Sequence, residues 1–168
     1  MPKIIENLKE RLIDEARRQV EEDGYAAMTI RSVAKGCGVG IGTVYNYFPS
    51  KDTLVATFML EDWQMCIRTI NAAGALGSDK KDVVRCIYDE LRRYKELNQK
   101  IFEDKEAAGV FGASSSQYHK LLRSQLAAPL RQFCDSDFTA EFISEALLNW
   151  TMEGRDFEEL YGVLLKLF

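Results

Sequence analysis

An all-α fold is what this sequence predicts, on three observations. Apolar residues recur at helical spacing along most of the 168 residues, strand-like alternation is missing, and the three prolines stand far apart at Pro2, Pro49 and Pro129. Glycines gather at 36–42, 74–77 and 109–112, where they mark breaks between helices.

The first helix is expected over about Ile4 to Glu22, because Ile4, Leu8, Leu12, Ala16 and Val20 follow one another at i, i+4 and share a face. Its other faces are charged, and Gly24 is a fitting stop. Thr29 is a good N-cap for a short second helix that turns Ile30, Val33 and Ala34 inward, with Gly36 and Gly38 ending it. A third short helix covers about Ile41 to Tyr47. Pro49 disfavours helical geometry at Phe48, and Ser50 caps a fourth helix running from Lys51 to about Ala73.

Beyond a loop at 73–79, the spacing of Val83, Ile87, Leu91, Tyr94 and Ile101 predicts one helix of about 25 residues. Gly109, Gly112 and Ser114 to Ser116 form a second loop. Tyr118, Leu121, Leu122, Leu126, Leu130 and Phe133 then resume the pattern across a kink at Pro129. Two amphipathic helices finish the chain, one with Phe142, Ile143, Ala146, Leu147 and Trp150, the other with Phe157, Leu160, Tyr161, Leu164, Leu165 and Phe168.

Composition narrows the function. A hydrophobic fraction of 46% and a charged fraction of 29% are those of an ordinary folded domain. No apolar run is long enough to cross a membrane and the amino terminus is too charged for a signal peptide, so a cytoplasmic protein is expected. Cys37, Cys66, Cys86 and Cys134 stand singly and His119 is the only histidine, so no metal site and no cofactor is expected, and reduced, packed thiols are the simpler reading. Ser114, Ser115, Ser116 and His119 invite a hydrolase reading. Without a nucleophile elbow or phosphate loop, flexible-loop composition explains them better, and no enzyme is expected.

The net charge of −4 conceals an uneven distribution. Residues 24–51 carry Arg31, Lys35 and Lys51 and no Asp or Glu, while acidic residues crowd both flanks. That stretch is suited to face phosphates. It also holds two short helices separated by a glycine turn and buttressed by a preceding helix, the arrangement that puts one helix into a major groove.

The string AMTIRSVAKGCGVGIGTVYNYFPSKDTLV, residues 27–55, resembles the amino-terminal domain of TetR-family transcriptional regulators without a gap. The resemblance implies a helix-turn-helix at 29–48, with Gly38 and Val39 as the turn and Ile41 to Phe48 as the recognition helix. It implies DNA contacts by Thr29, Arg31, Ile41, Gly42, Thr43, Tyr45, Asn46, Tyr47 and Lys51. Thr43, Tyr45 and Tyr47 match positions that touch phosphates or base edges, Ile41, Gly42 and Asn46 positions that face the groove, Arg31 a base-contacting position, and Lys51 a phosphate-binding lysine. Ile41 departs from the polar or basic residue that many relatives carry there.

The residue chemistry agrees. Hydroxyls donate to phosphate, Arg31 can pair with guanine, Asn46 with adenine, and the methyls of Thr43 and Ile41 suit thymine. A packed three-helix unit without DNA, or a solvated Arg31, is the plainer alternative.

The same resemblance implies a three-helix DNA-binding head at 1–49 and a helical ligand-binding and dimerisation body at 50–168, about nine helices in all. Expected partners are a palindromic double-stranded DNA operator, a second copy of the chain through its last two helices, and a small apolar or amphipathic effector. The function implied is a ligand-responsive repressor, and the alternative is a TetR-like interaction protein of the nucleoid-occlusion type. Met59, Trp63, Tyr88, Tyr94, Phe102, Phe111 and Trp150 line either an effector pocket or simply the core.

Overall fold

A computed structural model describes residues 7–112 and 116–168, and among these every regular element is helical. Ile4, Ser114 and Ser115, placed above in a helix and a loop, lie outside the described residues. The elements are α1 (Leu8–Asp23), α2 (Ile30–Cys37), α3 (Ile41–Tyr47), α4 (Lys51–Ala75), α5 (Lys80–Leu97), α6 (Gln99–Phe102), α7 (Lys105–Ala107), α8 (Ser116–Ala127), α9 (Asp137–Glu153) and α10 (Phe157–Leu164). No described helix is long and apolar enough to cross a membrane.

The chain forms two compact units, Met1–Glu61 with Asn98–Ala113, and Asp62–Leu97 with Ser114–Phe168. In the first, Leu12, Ala16 and Val20 of α1 meet Ile30, Val33 and Ala34 of α2, Val44 and Phe48 at α3, and Leu54, Val55 and Phe58 of α4. Ile101 and Ala107 fill the same core. Gly36 lies inside α2 and does not end it, contrary to the expectation from sequence. A Cβ there would fall 2.1 Å from the Glu15 carboxylate, so that flexible side chain would have to swing aside, while Gly38 makes the turn at φ +68°.

The long helix expected through Ile101 is broken. Asn98 is buried at φ −108°, ψ 16°, and its carbonyl accepts from the Ile101 and Phe102 amides to start α6 anew. The short α7 and a wide turn, Ala108–Gly112, follow.

The second unit packs Trp63, Ile67 and Ile70 with Val83, Ile87 and Leu91 of α5, Leu126 and Leu130, Ile143 and Leu147 of α9, and Phe157, Leu160 and Leu164 of α10. Two polar side chains at this core are hydrogen-bonded. The Trp63 indole N–H donates to Gln125 at 2.8 Å and the Tyr88 hydroxyl donates to the Arg155 carbonyl at 2.7 Å. Pro129 opens a tight 3-10 turn, Ala128–Phe133, where a kinked continuous helix was expected. His119 Nε2 sits 2.9 Å from Glu145. All four cysteines are free, and burial pushes the Cys66 thiol up to about 12.

Of the aromatic and methionine set, Trp63 and Tyr88 belong to this second core. Met59 and Phe111 belong to the first, Phe111 standing edge-on to Tyr25 at 5.9 Å, in keeping with the core alternative stated for them. Trp150 is exposed.

Candidate nucleic-acid interface

The interface is built on the anchoring of α2. Thr29 caps it, its hydroxyl accepting from the Ser32 amide at 3.0 Å, and the Ser32 hydroxyl closes a capping box by accepting from the Thr29 amide. The Ser32 hydroxyl also donates to Gln19 of α1 at 2.5 Å, and Gln19 donates to Glu15 at 2.7 Å. Arg18, bonded to Glu15, holds that carboxyl below the usual range. Ser32 and Gln19 are positioning residues that sequence reasoning missed. The signal was there in the Thr-x-x-Ser spacing, a variant of the capping box.

On α3 the side chains sort by helical geometry, about 100° per residue. Val44 and Phe48 point into the core, which puts Gly42 and Asn46 on the opposite, outermost line. Ile41 and Tyr45 flank that line on one side, Thr43 and Tyr47 on the other. Tyr45 is 50% and Tyr47 45% exposed, while Thr43 is half-buried. The structure therefore gathers Ile41, Gly42, Thr43, Tyr45, Asn46 and Tyr47 on one short helix with no formal charge. Arg31 and Lys35 are exposed, one turn apart on α2, and neither has a partner among the described residues. Lys35 was not among the residues expected to contact DNA, yet it shares the face of Arg31.

Two predicted contact residues are engaged with the protein itself. The Thr29 hydroxyl serves the cap. The Lys51 ammonium sits 3.9 Å from the centre of the Tyr25 ring and 3.8 Å from Glu106, its side chain only 19% exposed. Tyr25 in turn donates its hydroxyl to Asp52, and burial, first, and that carboxylate push its pKa well up.

Gly42 is not required by internal packing, because a Cβ there meets nothing within 4 Å and its backbone is helical. Gly42→Ala is expected to raise stability by up to about 1 kcal/mol through helix propensity. DNA affinity is expected to fall, since the added methyl stands on the outermost line. Denaturant unfolding and a binding titration check the pair of effects, and unchanged affinity would show that nothing approaches α3 there.

Residues 12–57 match the family model described as bacterial regulatory proteins, tetR family. The KstR transcriptional repressor of Mycobacterium tuberculosis is 26% identical over 71% of this chain and 56% of its own length, and that of Mycolicibacterium smegmatis is 26% identical over 64% and 53%. The chain thus spans about half the length of these KstR repressors. The transcriptional repressor Rv1474c of Mycobacterium tuberculosis is 24% identical over 98% of this chain and 95% of its own length. Among solved structures, the TetR-family repressor AlkX from Dietzia aligns with TM-score 0.66 at 13% identity, covering 95% of this chain and 92% of that one. Thermus thermophilus FadR, solved with lauroyl-CoA, aligns with TM-score 0.61 at 21% identity, covering 95% and 92%. These structures speak for the fold over nearly the whole chain, and the family model speaks for the helix-turn-helix. Residues 12–57, set at the head of an all-helical chain, are thus similar to the amino-terminal segment of the tetR family of bacterial regulatory proteins.

Proposed function

We propose that this protein is a cytoplasmic, sequence-specific transcriptional repressor that binds a palindromic operator as a homodimer and is released by a small apolar or amphipathic effector. One observation carries the reading: α3 presents an exposed face free of acidic side chains, with Arg31 and Lys35 beside it, on a helix-turn-helix whose other side is sealed into a core. Thr29, Arg31, Ile41, Gly42, Thr43, Tyr45, Asn46, Tyr47 and Lys51 form the proposed contact set. Hydroxyls and cations grip phosphate, and Arg31 and Asn46 discriminate bases. The family's repressors and the acyl-CoA complex of the FadR relative support the repressor and effector parts. No catalytic role is proposed.

Residues 1–49 are proposed to read DNA and 50–168 to dimerise and bind the effector. Support for the second copy comes from α9 and α10, where Phe142, Trp150, Val163 and Leu167 line an apolar groove of about 350 Å³. An isologous pairing of such faces buries them. Two recognition helices then stand about one DNA turn, roughly 34–36 Å, apart.

Selection of bound duplexes from a random pool at stated salt tests the reading. An enriched palindrome is expected, and a pool that stays random would overturn it. On the enriched site Arg31→Ala is expected to cost about 1–3 kcal/mol, with little loss on unrelated duplex. An equal loss on both would move Arg31 from reading bases to gripping phosphate.

A further inference from the structure

Lys51 opens α4 at the position proposed to take a backbone phosphate, yet it already has an anionic neighbour. That neighbour comes from a segment some fifty residues later. Glu106, 63% exposed on α7, brings Oε1 to 3.8 Å from the Lys51 ammonium. The approach is built, because α7 is held against the same corner by independent contacts. Asp104 caps α7 by accepting from the Glu106 and Ala107 amides at 2.9 and 3.1 Å, and its other oxygen accepts from the Ala26 amide at 3.2 Å. Ala107 and Ile101 are buried in the first core, and Phe111 stands against the Tyr25 ring on which Lys51 rests. Within one compact unit, two carboxylates therefore meet a lysine ammonium and a backbone N–H, both among the donors that a DNA phosphate takes.

We propose that Glu106 is an internal competitor for the Lys51 ammonium and thereby sets how tightly the head grips DNA. The inference rests on the DNA-binding reading above. A cation paired with Glu106 must exchange one anion for another when phosphate arrives, so its net contribution to binding is smaller than that of a free lysine. A 3.8 Å pair whose carboxylate is 63% exposed is weak. The competitor tunes affinity by a small factor and does not block binding.

The test is a double-mutant cycle on DNA affinity, measured across a salt series with the full chain, using Glu106→Gln, Lys51→Gln and both together. Glutamine keeps the backbone amide that Asp104 accepts from, so α7 retains its cap, and circular dichroism verifies the fold. Glu106→Gln is expected to tighten binding about two- to fivefold at low salt. It is expected to steepen the salt dependence by up to about 0.9 in slope, and to do neither when Lys51 is glutamine. An equal gain in both backgrounds would show long-range repulsion of DNA by Glu106 and overturn the proposal, as would wild-type and Glu106→Gln curves that coincide. A wild-type chain with no affinity for any duplex overturns the DNA-binding reading along with it, an outcome distinct from coinciding curves.

Discussion

Phe48→Ala is expected to lower the stability of the amino-terminal unit by about 3–5 kcal/mol and to abolish DNA binding near room temperature. The ring is 2% exposed at the residue that ends α3, where the backbone leaves helical geometry at φ −134° and the amide donates back to Val44 at 2.9 Å. Truncation removes the transfer energy of a phenyl group and leaves a cavity beneath the recognition helix. A unit of this size, whose total stability is of the order of 5–15 kcal/mol, has little reserve. Urea unfolding followed by far-ultraviolet circular dichroism measures the loss, with Tyr47→Ala as a control expected to stay within about 0.5 kcal/mol because its ring is on the surface. A loss under about 1 kcal/mol at Phe48 would mean that the core closes over the gap and that α3 is not held from this side.

Val163→Glu is expected to convert the proposed dimer to a monomer and to lower affinity for the proposed operator by about two orders of magnitude or more, through loss of the second half-site contact. Val163 is 59% exposed on α10, in the groove shared with Phe142, Trp150 and Leu167. A charge there costs the folded monomer little, since water reaches it, but a carboxylate buried in this mostly apolar face is unfavourable, the lining Arg155 already standing 3.6 Å from Glu159. Sedimentation at micromolar concentration gives the first readout and a binding titration the second. Retained dimers with unchanged affinity would move the pairing surface elsewhere.

The parts of this molecule legible in the sequence are those written in local chemistry. Thr29 and Ser50 cap, the stretch Ile41–Tyr47 is helical, and the apolar stripes of α9 and α10 follow their own spacing. What was not legible depends on partners distant in the chain. Nothing near Gly36 tells that the Glu15 side chain of α1 lies over it, so two glycines two residues apart looked like one helix end. Ile101 continues the periodicity of α5, yet belongs to the first core, because Asn98 breaks the helix between them. Lys51 reads as a free cation in the sequence. Its engagement with Tyr25 and Glu106 exists only once residues 26 and 55 positions away are folded against it.

The placement of the two tryptophans has an optical consequence. Trp63 and Trp150 both fall in the second compact unit, while the first carries Tyr25, Tyr45 and Tyr47 and no tryptophan. Indole emission is therefore blind to the recognition helix. It reports a buried ring hydrogen-bonded to Gln125 together with an exposed one under the Arg155 guanidinium, 5.4 Å from its centre. Fluorescence excited selectively at tryptophan will follow the groove face and the body core, so a change in emission on adding a small molecule or a second copy originates there. Tyr45 and Tyr47 of α3 contribute only to the phenol signal, which they share with Tyr25 and with tyrosines of the second unit such as Tyr88, Tyr94 and Tyr161.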